Sequence, residues 1–286
     1  MSLEALQREP FLVMGVVNVT PDSFSDGGRY LDPEAAIARA RSLAEQGAEL
    51  VDLGGESTRP GALPVDADEE LGRVLPVIDG LSRAGLPARI SVDTSKAVVA
   101  ARALEAGASF VNDITALRGD PEMVGVLASS GAECCLMHML GSPRTMQADP
   151  RYDDVVSEVK AFLEDRLSFA TGRGIEEGRI ALDPGIGFGK TVEHNLELLR
   201  RLDELVDLGR PVVVGTSRKS FIGRITGRAV DERLAGTIAT NVLAFLRGAR
   251  IFRVHDVRPV HDALTMAAAT VSRPWIQATR QTSSTR

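Results

Sequence analysis

The feature that most constrains the fold is an eightfold repetition: short apolar runs alternate with longer segments of helical periodicity along the 286-residue chain. The predicted strands cover 11–17, 49–53, 88–92, 109–111, 133–137, 179–182, 211–214 and 249–254, and the predicted helices 33–46, 68–84, 96–106, 121–130, 153–173, 192–205, 230–246 and 259–271. Because a helix follows each strand, the strands must run parallel with right-handed crossovers. Eight such units predict an α/β fold, a single-domain (β/α)₈ TIM barrel over residues 1–275.

Composition narrows the class of protein. Apolar residues make up 44% and charged residues 25%, which predicts a globular domain, with a disordered tail only at 276–286. The net charge of −6 argues against non-specific nucleic-acid binding. No apolar run reaches the about 20 residues of a membrane span, and no secretory signal is recognised, so a cytoplasmic protein is expected. The adjacent Cys134 and Cys135 are interpreted as reduced core residues.

Every predicted strand has polar residues at or just after its end. In chain order they are Asn18, Asp52, Asp93, Asn112 with Asp113, His138, Asp183, Ser217 with Lys219, and Arg253 with His255. The carboxyl ends of the strands in a parallel barrel share one rim, and that rim carries the active site. Asp and Asn are also common caps and turn formers, which explains one or two of them. Eight in succession favour a polar site, although His138 is better interpreted as a buried structural histidine.

The side chains at this rim are of two chemical kinds. The acids and amides are Asp52, Asp93, Asn112 and Asp183, and the cationic groups are Arg59, Lys219, Arg253 and His255. Acids and amides suit a neutral, flat heterocycle with several N–H donors, since acceptor pairs match such an edge. Cationic groups suit phosphate or carboxylate. We therefore expect a ligand with a nitrogen-rich end and an anionic end.

Glycine-containing segments help to place the anion. Segment 183–191 ends in Gly-Lys-Thr, but Pro184 stands where a nucleotide phosphate loop needs its first glycine, which excludes that type of site. Segment 215–220 follows the seventh strand and opens a helix, whose free N–H groups favour an anion, although Ser217 could also serve only as a helix cap. Segments 20–28 and 54–61, after strands 1 and 2, have the composition of mobile loops that close over a substrate.

Two long motifs carry a resemblance to a known family. Asn-Val-Thr-Pro-Asp-Ser-Phe-Ser-Asp-Gly-Gly at 18–28 and Asp-Leu-Gly-Gly-Glu-Ser-Thr-Arg-Pro-Gly at 52–61 closely resemble the two signatures of the dihydropteroate synthase family. Segments 91–94, 111–114, 137–139, 183–190, 217–220 and 253–257 are similar to that family's later blocks, in the same order. The resemblance covers about residues 11–270.

The resemblance implies a transferase of folate biosynthesis and target of sulfonamides. The implied reaction condenses 6-hydroxymethyl-7,8-dihydropterin diphosphate with 4-aminobenzoate to give 7,8-dihydropteroate and pyrophosphate. The implied pterin contacts are Asp93, Asn112, Asp183, Lys219, Asp52 and Met137; the implied diphosphate contacts are Asn18, Thr58, Arg253 and His255; the implied aminobenzoate contacts are Phe188, Ser220, Pro60, Phe24 and Arg59. The resemblance also implies Mg²⁺ at Asn18 and a homodimer.

The chemistry of these substrates predicts how the enzyme acts. An aromatic amine is a weak nucleophile, so activation of the leaving diphosphate by Mg²⁺, Arg253 and His255 should matter most, in an SN1-like step. Asp93 and Lys219 complete the expected catalytic set. Three alternatives remain: a non-catalytic pterin-binding paralogue, a pterin-dependent methyltransferase with a corrinoid partner, and a Schiff-base aldolase that uses Lys219.

Overall fold

The computed structural model describes residues 3, 6, 9–20, 32–58 and 61–271. Its eight parallel strands are β1 (Leu12–Asn18), β2 (Leu50–Gly54), β3 (Arg89–Asp93), β4 (Phe110–Asp113), β5 (Glu133–Met137), β6 (Ile180–Asp183), β7 (Val213–Val214) and β8 (Ile251–Val254). They form one sheet in the order 6-5-4-3-2-1-8-7. A parallel bridge between Leu182 and Val212 joins its two edges, so the sheet closes and the predicted barrel is confirmed.

Ten α-helices lie in the described part of the chain. They are α1 (Pro33–Glu45), α2 (Ala67–Arg83), α3 (Ala97–Glu105), α4 (Met123–Ser130), α5 (Val155–Gly172), α6 (Val192–Arg200), α7 (Asp203–Val206), α8 (Ser220–Thr226), α9 (Leu234–Leu246) and α10 (Val257–Val271). The side chain of Asp32 caps α1 by accepting the N–H of Glu34 at 2.9 Å, with Pro33 in the first turn. None of these helices has both the length and the apolar character that crossing a bilayer requires.

The structure corrects two predicted helices. The segment 192–205 is two helices, because the chain turns at Arg201, whose guanidinium pairs with Asp154 (2.9 Å) and Glu204 (2.6 Å). The helical periodicity continues across this turn, so the sequence does not reveal it. The segment 230–246 becomes helical only at Leu234, after a 3₁₀ turn at Val230–Glu232. The helix predicted to open near residue 220 is confirmed as α8.

The core has two layers, one inside the barrel and one between the strands and the helices. Because side chains of a strand alternate between faces, Cys135 packs inside the barrel while Cys134 packs under the helices. Both cysteines are buried and free, as predicted, and burial raises the pKa of the Cys134 thiol to about 12. The boundary at 275 and the tail at 276–286 lie outside the described residues and stay predictions.

Candidate active site

The carboxyl ends of the strands surround a cavity of about 540 Å³. The sequence-predicted residues that line it are Asn18, Thr58, Asp93, Asn112, Met137, Asp183, Phe188, Lys219, Ser220, Arg253 and His255. The predicted convergence of polar strand ends at one rim is therefore confirmed. Three other candidates, Phe24, Arg59 and Pro60, lie outside the described residues, as does most of the loop after β1.

Asp52 differs from the other candidates because it lies behind the cavity wall. It precedes the end of β2 by two residues, so it lies one layer below the rim and is fully buried. Nε of Arg253 donates to Oδ2 of Asp52 at 2.7 Å, and Oγ of Ser91 donates to Oδ1 at 2.6 Å. Nη2 of Arg253 donates to Oδ2 of Asp93 at 2.7 Å. Asp52 thus supports Arg253 and Asp93 from below.

Asp113 is a second polar strand end that does not line the cavity. Its neighbour Asn112 points into the barrel, so Asp113 points outward. One carboxylate oxygen accepts the backbone N–H of Thr115 at 2.8 Å and the other accepts that of Leu117 at 2.7 Å. These bonds hold a tight loop in which Ala116 and Leu117 both have positive φ, at 52° and 63°. Asp113 therefore has the structural role of a turn former.

Burial shifts the pKa of two acids and of one lysine in the cavity. It raises the pKa of Asp93 to about 7, against the lowering effect of Arg253. It also raises the pKa of Asp183, against the hydrogen bond that this carboxylate accepts from the backbone of Gly185 at 2.6 Å. It lowers the pKa of Lys219 to about 8. Burial opposes the charge of Arg253 too, but its two carboxylate partners hold its pKa above the ordinary value.

We expect the ligand-free protein to lose stability relative to an Asp93→Asn variant as pH rises from about 4 to about 7. The folded state raises the pKa of Asp93 from 3.8 to about 7, so between these values it binds more protons than the unfolded state. The free energy of unfolding must then fall with rising pH, by about 2–4 kcal/mol for such a shift. Urea unfolding of both proteins across this range measures the difference, and a pH-independent difference would contradict it.

Three contacts hold His255: two are made by its own backbone and one by its imidazole ring. Its backbone N–H donates to Oγ of Ser217 at 3.2 Å, and its carbonyl accepts from Nη2 of Arg39 at 2.8 Å. Nδ1 of the imidazole lies 3.0 Å from Oγ of Ser217. Burial, with Arg253 and Arg218 nearby, lowers the pKa of His255 to about 4. The imidazole is therefore neutral at pH 7.

The loop after β7 places Ser217 and Lys219 at the cavity by means of a strained residue between them. Arg218 has a φ of 59°, in the left-handed region that costs a non-glycine residue of the order of 1 kcal/mol. Its backbone N–H donates to Oγ1 of Thr237 at 3.1 Å, and its guanidinium pairs with Asp256 through bonds of 2.6 and 3.0 Å. These contacts hold the strained conformation.

Phe188 is fixed by a buried amine on the loop after β6. Nζ of Lys190 donates to the carbonyl of Phe188 at 3.0 Å and lies 2.9 Å from Nδ1 of His138. Burial lowers the pKa of Lys190 to about 7 and, with Lys190, that of His138 to about 2. His138 is buried and does not line the cavity, in agreement with its structural interpretation. Nζ of Lys219 lies over the ring of Phe188, 4.1 Å from its centroid.

Comparison with known proteins identifies the family. A sequence profile described as pterin binding enzyme matches residues 14–255. The chain is 44% identical over 260 residues to the dihydropteroate synthase of Escherichia coli (strain K12), covering 91% of this chain and 92% of that protein. It is 43% identical over 267 residues to the dihydropteroate synthase of Bacillus subtilis (strain 168), covering 93% and 90%. The chain belongs to the dihydropteroate synthase family.

Solved structures of the dihydropteroate synthase family agree with this assignment. The Xanthomonas albilineans dihydropteroate synthase with 4-aminobenzoic acid matches with a TM-score of 0.86 and 48% identity, over 92% of this chain and 94% of that one. The predicted family, the barrel fold and the activity of a transferase that forms dihydropteroate in folate biosynthesis are confirmed. The non-catalytic, corrinoid-dependent and aldolase alternatives gain no support from these relatives.

Sequence reasoning missed a group of charges that holds the loop after β2. Nζ of Lys96 contacts the carboxylate of Glu56, which lines the cavity, and Oε2 of the fully buried Glu70 at 2.5 Å. Nη1 of Arg73 donates to the carbonyl of Gly55 at 2.6 Å. These residues come from the loop after β2, from α2 and from the position just before α3, and no local motif signals their pairing. They anchor the part of this loop that leads to Thr58.

Proposed function

We propose that this chain condenses 6-hydroxymethyl-7,8-dihydropterin diphosphate with 4-aminobenzoate in the cavity at the carboxyl ends of the strands. One observation carries the proposal: a single cavity combines buried hydrogen-bond acceptors with cationic groups, as the two ends of this substrate require. The Xanthomonas albilineans relative has also been solved with 7,8-dihydropteroate, at 45% identity and a TM-score of 0.83. Both observations support a pterin as the ligand.

The pterin ring is assigned to the acidic side of the cavity. Asp183 and Asn112 offer acceptors to its N–H donors, and Asp93 lies on the same wall. Met137 provides an apolar contact for the flat ring, since it packs with other apolar side chains that border the cavity. Lys219 has three donors for the ring carbonyl and nitrogen acceptors. Asp52 acts indirectly, through Arg253 and Asp93.

The diphosphate is assigned to Asn18, Thr58, Arg253 and His255, all of which line the cavity. In the described residues no three acidic, histidine or cysteine groups are arranged to hold a metal ion. Mg²⁺ bound mainly by phosphate and water needs no such group. The side-chain amide of Asn18 has no hydrogen bond within the described residues, and its oxygen is a suitable ligand. When bound, Mg²⁺ would supply charge neutralisation on the diphosphate.

The aminobenzoate is assigned to the side of the cavity formed by Phe188 and the start of α8. Phe188 presents an aromatic face, and Ser220 begins the helix that follows the loop after β7. The carboxylate of aminobenzoate would accept hydrogen bonds from Ser220. The sequence adds Phe24, Arg59 and Pro60 to this subsite as predictions.

The reaction proceeds through loss of the diphosphate. The bond from the exocyclic carbon to oxygen breaks and its electron pair leaves with pyrophosphate, which the Arg253 guanidinium stabilises by charge. The electron-rich pterin spreads the positive charge left on carbon, and the carboxylate of Asp93 stabilises it. The amine nitrogen then forms the new bond and loses one proton to solvent. No group of the chain needs to form a covalent intermediate.

The proposal is tested by pyrophosphate release from the purified chain. Release should require both the pterin diphosphate and 4-aminobenzoate, and the pterin product should appear in a one-to-one ratio with pyrophosphate. Release that continues without 4-aminobenzoate at the same rate would show a hydrolase instead. No release with both substrates present would contradict the proposal.

We expect Lys96→Met to raise KM for the pterin diphosphate by about tenfold with a smaller change in kcat. The loop that carries Thr58 loses its anchor, and Oε2 of Glu70 loses the ammonium that it accepts from, while Oε1 of Glu70 already has no hydrogen-bond partner in the described residues. Removing one partner of a buried ion pair also destabilises, by about 3–5 kcal/mol. The double variant Lys96→Met/Glu70→Gln should recover stability but not KM. Recovery of both would mean that Lys96 acts only on stability.

A homodimer is part of the proposal. Leu243 and Leu246 on α9 are 58% and 53% exposed, and Met266 on the adjacent α10 is 66% exposed. Exposed apolar side chains on two packed helices favour association with a second copy. Light scattering should give twice the chain mass, and Leu243→Glu/Leu246→Glu should give the monomer. A monomeric unmodified protein at micromolar concentration would contradict the dimer. A cytoplasmic location stays a prediction from the sequence.

A further inference from the structure

Two contacts join Ser217 to His255, one through the backbone of the histidine and one through its imidazole. Oγ of Ser217 receives the backbone N–H of His255 at 3.2 Å, and this contact has only one direction because a backbone N–H cannot accept. The Ser217 hydroxyl therefore keeps its own proton for another partner. Within the described residues its only other hydrogen-bond partner is Nδ1 of His255, at 3.0 Å.

From this geometry we infer that Ser217 is a positioning residue that donates to Nδ1 of His255, holds the imidazole as its Nε2–H tautomer, and so presents a neutral N–H donor to an anionic oxygen in the cavity. The inference rests on the proposed function for the identity of that oxygen, which is a diphosphate oxygen. The opposite tautomer would give Oγ two donors and leave the serine proton without an acceptor in the described part of the chain.

The surroundings of the ring agree with this assignment. Three cations, Arg253, Arg218 and Lys219, disfavour a second proton on the imidazole, while Asp256 favours it but is paired with Arg218. The ring lines the cavity, and Nε2 has no hydrogen bond within the described residues. His255 consequently serves as a hydrogen-bond donor and does not transfer its proton to the leaving pyrophosphate, since loss of that proton would leave an imidazolate.

A hydrogen bond to the backbone of His255 also helps to fix the position of its imidazole. Nη2 of Arg39, on α1, donates to the carbonyl of His255 at 2.8 Å. Ser217 is 5% exposed and precedes the strained residue that directs the loop after β7. The serine hydroxyl and the imidazole are therefore held by two different loops, after β7 and β8, at a distance that neither loop determines alone.

Nitrogen-15 NMR of histidine-labelled, ligand-free protein tests the tautomer directly. The chain has four histidines, so the His255 signals can be assigned by their loss in His255→Asn. We expect a protonated Nε2 and an unprotonated Nδ1 at pH 7. Ser217→Ala should produce a mixture of tautomers, while Ser217→Thr, which keeps the hydroxyl, should retain the Nε2–H form. An Nδ1–H form in the unmodified protein, or no change in Ser217→Ala, would overturn the inference.

Kinetics provide a second, independent readout. A glutamine amide places its donor near Nε2 and an asparagine amide near Nδ1, so His255→Gln should retain at least about tenfold more kcat/KM than His255→Asn, as expected for one hydrogen bond to an anion. The reverse order would overturn the inference. Ser129→Ala, on the exposed end of α4, should change neither the tautomer nor kcat/KM. The Nε2–H signature without any pyrophosphate release would instead contradict the proposed function.

Discussion

Replacing Arg253 by alanine is expected to lower kcat by about 10²–10³-fold, the loss seen when a preorganised group that stabilises developing charge is removed. Affinity for the free pterin, which lacks the diphosphate, should fall much less. Steady-state kinetics and titration with free pterin measure the two effects separately. An equal loss in both would contradict the assignment of Arg253 to the leaving group.

Arg253 also supports the folded state, and this contribution must be separated from catalysis. Its guanidinium bridges Asp52 and Asp93, so the alanine variant leaves two buried carboxylates without a counter-charge. We expect a destabilisation of about 3–5 kcal/mol in Arg253→Ala. The double variant Arg253→Ala/Asp52→Asn should regain part of this stability while kcat stays low. Recovery of kcat together with stability would show that the loss of turnover was caused by misfolding.

Arg253→Lys provides a matched control for charge. It keeps one positive charge, but a lysine ammonium lacks the planar fork with which arginine reaches both carboxylates at 2.7 Å. Stability and kcat should both lie between those of the unmodified protein and of Arg253→Ala. Full activity in the lysine variant would mean that charge alone suffices and that the bidentate geometry is unimportant.

Asp183→Asn is expected to reduce affinity for the pterin by at least about 10³-fold. One oxygen of Asp183 accepts the backbone N–H of Gly185 at 2.6 Å, and asparagine can preserve that bond and therefore the loop. The second oxygen becomes an NH₂ group that opposes the N–H donors of the pterin. Sites built to pair a polar substrate group discriminate by about 10⁴–10⁵-fold when the pairing is lost. Isothermal titration with free pterin measures the change.

The control for this substitution is Asp165→Asn on α5, where the side chain is 75% exposed and does not line the cavity. It makes the same change of charge but should leave both pterin affinity and unfolding temperature within error. Retained affinity in Asp183→Asn would contradict the assignment of this carboxylate to the pterin. Lost affinity accompanied by loss of the native circular dichroism spectrum would show a folding defect, and Asp183→Glu would then test the position of the carboxylate.

The site shows where reasoning from strand ends succeeds and where it fails. It succeeds for Asn18 and Asp93, the last residues of β1 and β3, and for Asn112, which stands one residue before the end of β4, because these side chains point inward at the rim. It fails for Asp113, since alternate side chains of a strand point to opposite faces and a shift of one residue turns the carboxylate outward. It is incomplete for Asp52, which lies two residues below the end of its strand and acts on other side chains.

The amino-acid sequence by itself determined the repeated strand and helix, the rim at which polar groups meet, and the family, because these depend on local periodicity and on contiguous motifs. Only the tertiary structure decided which groups pair. The contacts of Lys96 with Glu70, of Arg253 with Asp52 and of Ser217 with His255 join distant segments. Burial, which shifts the pKa of Asp93, likewise arises only when the whole barrel closes around it.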